Sequence, residues 1–349
     1  MTKSNEDVSI MKTLWGKQGD GRWAINNMRG LTLKPQNGCS SDFFKFESDL
    51  ELLTQSPRHM NNHQLLTSFG NTDFLMKQSI LPVIAWVKGE HRIRCIGTAF
   101  VISCSGYIMT ACHVLLDPKD RDYGKVVREG NILNFLDDLM MGVFIPVNPA
   151  YGIRGFRFLP FERSWYWGEW KSSPLIHEDD KFDILTDIAI CKIPRLPDDV
   201  AHQPLNLSLN NFKKDEQAYA FGYAEMDDIP VQILDGKPTM GDFEHEIFVS
   251  VGEVAQIFPK NHLEMNVPTP GPCFDFKAKI PGKMSGGPIL GAQGAAVRGV
   301  ISRSFSGEKH AYGAMLGPTM HLPLMNNETL HSMMMSGNEG ITRVEGQDL

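Results

Sequence analysis

The run Gly97-Thr-Ala-Phe-Val-Ile-Ser103 is followed, across Cys104 and Ser105, by Gly106-Tyr-Ile-Met-Thr-Ala-Cys-His-Val114. Both runs are short, apolar and rich in β-branched and aromatic residues, and the Ser105-Gly106 pair between them carries turn chemistry. Two strands meeting at that turn lead to His113. A histidine at a strand end is held by rigid backbone while its ring faces a cleft.

Runs of the same texture recur on either side: Leu81–Val87, Ile188–Ile193, Ala218–Tyr223, Ile247–Val251, Ile289–Leu290 and Val297–Ser302. Gly, Pro, Asn and Asp punctuate them, and long helical periods are scarce. That pattern predicts an all-β barrel or sandwich. Residues 1–76 read as a polar N-terminal extension with a short helical candidate at Phe43–Thr54. Residues 77–200 and 201–325 read as two β units, with the Pro- and Asn-rich stretch 194–216 as linker. The tail over 326–349 reads either as a short helix around Met333–Met335 or as unstructured chain. The stretch 117–180, with its aromatic FRFLPFERSWYWGEW, is too long for a hairpin connection and reads as decorated loops.

Composition narrows the function. The 349 residues are 42% hydrophobic and 21% charged, which excludes wholesale disorder. Against 34 Lys and Arg stand 41 Asp and Glu, a net charge of −7. That balance argues against nucleic acid or an anionic membrane surface as partner. No apolar run approaches the ~18–20 residues of a membrane span. The N-terminus, MTKSNEDVSIMKTLW, lacks the apolar core of a secretion signal. The cysteines at 39, 95, 104, 112, 191 and 273 form no C-x-x-C pair and read as reduced thiols of a cytoplasmic protein. His59 and His63 stand four apart, but nothing completes a ligand set, so neither metal nor organic cofactor is expected.

Three segments carry chemistry. Beside His113 stand Thr186-Asp-Ile-Ala-Ile-Cys-Lys192 and Pro281-Gly-Lys-Met-Ser-Gly-Gly-Pro-Ile-Leu290. Asp187 opens an apolar run, which places its carboxylate at a strand mouth and favours it over its neighbour Asp183. Ser285 lies in a glycine-rich turn before a strand. Serine needs a neighbouring base to take its proton, and that base needs an acid to fix its tautomer. It also needs backbone N–H groups for the developing oxyanion, which a glycine-rich turn can present.

These segments resemble the chymotrypsin/trypsin-like serine peptidases. The matching pieces are Thr110-Ala-Cys-His-Val114, Asp187-Ile-Ala-Ile190 and Ser285-Gly-Gly-Pro288, in that family's chain order. Pro272-Cys-Phe274 and Met284-Ser-Gly-Gly-Pro288 are similar to bacterial intracellular members. The resemblance spans roughly residues 78–325 and implies two antiparallel six-stranded β-barrels with the site in the crevice between them. It makes His113 the general base and Asp187 its orienting acid, both from the first barrel, and Ser285 the nucleophile from the second. The oxyanion donors would be the backbone N–H groups of Ser285 and Lys283. The family has glycine where Lys283 stands, so its Cβ is expected to turn that peptide away and slow the resting enzyme. Lys279 falls at the base of the specificity pocket, arguing against Arg or Lys in the substrate. Ser302 and Ser304 fall on the substrate-binding strand, with Tyr312 and Gly313 on the far wall. Cys112 reads as a buried thiol behind the site. The implied activity is a serine endopeptidase acting on a protein or peptide through an acyl-enzyme. Two alternatives stay open: a partner protein that activates it by reordering the Lys283 loop, or a catalytically weak scaffold that binds peptides.

Overall fold

The computed structural model describes residues 77–116, 126–136, 138–146, 156–171, 181–194, 202, 204–224, 226–234, 236–240, 247–260, 267, 269–291, 296–304 and 310–341, and the backbone of five short strands before them. Those five are β1 (Val8–Ser9), β2 (Thr13–Lys17), β3 (Trp23–Asn27), β4 (Thr32–Pro35) and β5 (Phe43–Phe46). The chain is all-β, and its strands form two large antiparallel sheets.

The first sheet uses β6 (Ile80–Val87), β7 (Arg92–Val101), β8 (Tyr107–Thr110), β9 (Val126–Glu129), β10 (Ile132–Phe135), β11 (Leu139–Pro146), β12 (Phe156–Pro160), β13 (Arg163–Lys171) and β14 (Lys181–Lys192). Its order is β12-β11-β6-β7-β8-β14-β13-β10-β9. The sharp turn between β7 and β8 pairs Val101 with Ile108 and sets the register that delivers His113 just past β8. A single helical turn, α1 (Cys112–Leu116), carries His113. β8 also pairs with β14, Thr110 against Ala189, which brings Asp187 alongside.

The second sheet uses β15 (Gln217–Tyr223), β18 (Ile247–Phe258), β19 (Cys273–Phe276), β20 (Pro288–Gly291), β21 (Val297–Ser304) and β22 (Ala311–Met315). These run in the order β18-β15-β20-β21-β22-β19, and β19 pairs back onto β18, closing a six-stranded barrel without a free edge. A hairpin of β16 (Ile229–Leu234) and β17 (Lys237–Met240) leaves this barrel and pairs Ile229 with Ile93 of β7. Residues 204–216 pass from one sheet to the other: Leu205 N–H donates to Val101 O at 2.7 Å and Ser208 N–H to Val297 O at 2.8 Å. The chain then returns as α2 (Leu330–Ser336), which buries Leu330, Met333 and Met334. Thr329 caps this helix by accepting from Ser332 N–H, and Gly337 ends it at φ +70°.

Two expectations are corrected. The aromatic run at 156–170 is not loop: it is β12 and most of β13, and five strands in all, β9 to β13, lie within 117–180. Aromatic residues suit a pleated, half-buried surface. Trp165 and Tyr166 are buried there, and Trp165 stacks on Tyr107 of β8 with centroids 6.2 Å apart. The helical candidate at Phe43–Thr54 begins instead as β5, whose Phe44 pairs with Val249 of the long β18. Residues 47–54 lie outside the described residues, as do His59, His63 and Cys39. Among the described residues Cys95, Cys104, Cys112, Cys191 and Cys273 form no disulfide. Among the described residues no helix is long and apolar enough to cross a membrane.

Candidate active site

The pairing of β8 with β14 places His113 and Asp187 in contact. Asp187 is 2% exposed, and its Oδ1 accepts from the His113 backbone N–H at 2.9 Å. Its Oδ2 lies 2.7 Å from His113 Nδ1 and also accepts from the Ser302 hydroxyl. Burial pushes the Asp187 carboxyl up. The His113 charge, its ring and backbone N–H, and the Ser302 hydroxyl outweigh burial, so the group is held below the ordinary carboxylate value. A carboxylate bonded to Nδ1 calls for the tautomer with hydrogen there, which leaves Nε2 free to accept a proton.

Ser285 approaches from the other sheet. Thr98 of β7 is the clamp that joins them. Its N–H donates to Ser285 O at 2.8 Å, and its hydroxyl donates to Lys283 O at 2.9 Å while accepting from Tyr223 N–H at 3.0 Å. Gly286 sits at φ +89°, where a Cβ would collide with Thr98 O and Thr110 Oγ1; at Gly287 a Cβ would collide with Phe221 O. The two glycines of the Ser-Gly-Gly-Pro turn are therefore what lets Ser285 reach the first sheet. Gly286→Ala should cost about 3 kcal/mol in a urea melt, combining a positive-φ penalty with overpacking of a tight contact. A loss under 0.5 kcal/mol would show that the turn has slack.

The Ser285 hydroxyl donates to Ser302 O at 2.9 Å. Among the described residues its hydrogen bond goes there and not to the His113 ring. Ser302, expected on the substrate strand, joins the two: its hydroxyl donates to Asp187 and its carbonyl accepts from Ser285. Thr269 Oγ1 lies 2.9 Å from Ser302 Oγ and completes the chain of polar groups. Thr269 is fully enclosed, and nothing in the sequence around it signals this role.

Lys283 requires a correction. Its Cβ does not exclude it from the glycine-like region, because it adopts φ +73°. That conformation costs an L-residue about 1–2 kcal/mol. The hydroxyl of Thr98 on its carbonyl and the carbonyl of Met226 on its Nζ hold it there. Among the described residues the N–H groups of Lys283 and Ser285 have no acceptor. Lys283→Gly would remove the strain and the Nζ anchor together, so kcat is expected to stay within a few-fold of wild type. A rise of ~10²-fold or more would mean that the lysine does hold back an oxyanion donor.

Lys279 is exposed rather than enclosed at a pocket base, and its carbonyl accepts from buried Ser250 at 2.7 Å. The adjacent Ile280 is buried, and its carbonyl accepts from Ser304 Oγ at 2.9 Å, clasping β21 to the loop before Ser285. Tyr312 is 8% exposed on β22, where Gly313 pairs with Ile301. Cys112 is fully buried, and burial pushes its thiol well above the ordinary value, which suits an inert packing group. Among the described residues no three His, Cys, Asp or Glu side chains gather as metal ligands would.

The trypsin-like peptidase domain matches residues 97–300. No curated protein matches the chain. Among solved structures the chain is similar to Deg5, at 15% identity over 75% of this chain and 93% of that one, with a TM-score of 0.39. It is similar to the active form of the Rv3671c protease from M. tuberculosis, at 16% identity over 69% and 77% and a TM-score of 0.36. It is also similar to the MamO protease domain from Magnetospirillum magneticum, at 14% identity over 70% and 95% and a TM-score of 0.37.

Proposed function

This chain belongs to the trypsin-like peptidase family, and from that premise we propose that it is an endopeptidase working through Ser285, His113 and Asp187. Ser285 Oγ turns from the Ser302 carbonyl and attacks the scissile carbonyl as His113 Nε2 takes its proton. The oxyanion is received by the N–H groups of Lys283 and Ser285. His113 then passes the proton to the leaving amine, the C–N bond breaks, and an acyl-enzyme remains. Water, deprotonated by the same imidazole, releases the acid and restores Ser285. Asp187 stays ionised throughout and stabilises the imidazolium.

The observation that carries this reading is that Ser302 bonds both sides of the site, its hydroxyl the carboxylate that holds the His113 ring and its carbonyl the Ser285 hydroxyl. A serine with no chemical task would have no use for a buried, imidazole-bound carboxylate that shares Ser302 with it. The test is a fluorophosphonate probe applied to the full chain, with the labelled peptide mapped by mass spectrometry. Label on Ser285 is expected. Absence of label leaves the peptide-binding scaffold as the better description.

The rate should depend on pH in one direction. Only neutral imidazole accepts the serine proton. kcat/KM is therefore expected to rise from acid to neutral pH, and EDTA to leave it unchanged. A profile flat over that range would remove His113 as the base.

A further inference from the structure

Resting on that reading, we propose that the site selects acidic peptides, and that Arg303 selects them by pairing with a substrate carboxylate near the scissile bond. Arg303 stands on β21 between Ser302 and Ser304. Ser302 touches Asp187 with its hydroxyl and Ser285 with its carbonyl, and Ser304 clasps the loop that leads to Ser285. The Arg303 backbone is thereby fixed within one residue of the groups that hold the triad.

Its side chain is partly enclosed, yet among the described residues the guanidinium has no hydrogen bond or ion pair. Arg94 and Arg298, the buried arginines, differ. Arg94 donates to Glu90 at 3.0 Å. Arg298 pairs with Glu216, donates to the carbonyls of Asn210 and Asn211, and lies 4.1 Å from the Phe212 ring centroid. A partly desolvated guanidinium without an acceptor is unfavourable, and its planar fork suits an incoming carboxylate.

The charge of Arg303 acts on Cys112, which directly precedes His113, and so does that of exposed Arg128 on β9. Both guanidinium charges therefore lie within electrostatic reach of the residue that precedes His113. Lys283, by contrast, is committed to Met226 O, and its charge acts on Cys95 together with those of Asp227 and Asp228. Selection by charge passes from the exposed Lys279 to Arg303.

The test uses short fluorescent peptides with Asp, Asn or Lys at each position in turn. They are measured as substrates of the full wild-type chain and as ligands of its Ser285→Ala variant. Asp at one position near the cleavage point should give kcat/KM and affinity about tenfold above Asn, the scale of a charge-assisted hydrogen bond, less so at high salt. Arg303→Gln should erase this ratio while retaining neutral peptides, Arg303→Lys should keep part of it, and Arg303→Glu should shift preference to Lys. An Asp-to-Asn ratio near one in wild type, or unchanged in Arg303→Gln, overturns the proposal. Should Arg303→Gln fail to fold, the wild-type ratio and Arg303→Lys decide. Binding of Asp peptides without hydrolysis would overturn the peptidase reading and keep Arg303 as selector. Hydrolysis without charge preference would do the reverse, and neither binding nor hydrolysis would overturn both.

Discussion

Replacing Ser285 with alanine is expected to lower kcat by about 10⁶-fold while the protein still melts within a few degrees of wild type. The size of the kinetic loss follows from the proposed mechanism, in which the serine acts as one unit with His113 and Asp187, so that removing it forfeits what all three achieve. The small effect on stability follows from its contacts. The side chain makes one hydrogen bond, to Ser302 O, worth about 0.5–1.5 kcal/mol. The contacts that hold the turn belong to the backbone: Thr98 N–H on Ser285 O, Gly286 N–H on Ile301 O at 2.8 Å and Gly287 N–H on Met284 O at 3.0 Å. Alanine keeps all of them. Steady-state hydrolysis and a thermal melt on the same preparation check both halves. Wild-type hydrolysis would remove Ser285 from the mechanism, and a collapsed melt would show that the hydroxyl holds the turn together.

What the sequence revealed and what it hid divide along the range of the interactions. Strand runs, the turn at Ser105-Gly106 and the three short motifs are local, and each is legible from a few neighbouring residues. The choice of Asp187 over Asp183 also rested on a local fact, the apolar run that follows it. The hidden features are long-range or conformational. Thr98 bonds residues more than a hundred positions away, and Thr269 meets Ser302 from 33 positions away, with no spacing to announce either. The aromatic run misled because its length suggested loops, whereas it is two strands with only Phe161 and Glu162 between them, β12 pairing with β11 and β13 with β14. Lys283 misled for a different reason. Propensity says that a residue with a Cβ avoids positive φ, but Thr98 and the Met226 carbonyl over-determine the turn and hold it there.

Asp187→Asn is expected to lower kcat by about 10⁴-fold at neutral pH, and the reason lies in the donors that surround it. The carboxylate accepts from the His113 backbone N–H on one oxygen and from the His113 ring and the Ser302 hydroxyl on the other. An asparagine supplies one acceptor and one donor. With its oxygen on the backbone N–H, its NH₂ faces the ring, and Nδ1 must become the acceptor. Nε2 then carries the hydrogen and cannot take the proton of Ser285. With the amide reversed, the ring keeps its tautomer, but the backbone N–H of His113 faces another donor inside a buried site. Neither orientation preserves both the base and the fold of the α1 turn. Stability should follow pH with a definite sign. The carboxyl of Asp187 is held below its ordinary value of 3.8 in the folded chain, so it contributes stability that is fully present above that value and is lost as pH falls through the lower folded one. The asparagine variant lacks this contribution, and its deficit in urea melts should therefore shrink as the pH is taken down from about 4. Fluorophosphonate labelling of Ser285 should slow in step with kcat. If the variant instead labelled and hydrolysed at wild-type rates, Asp187 would not orient the base, and the geometry around His113 would have to be explained as structural.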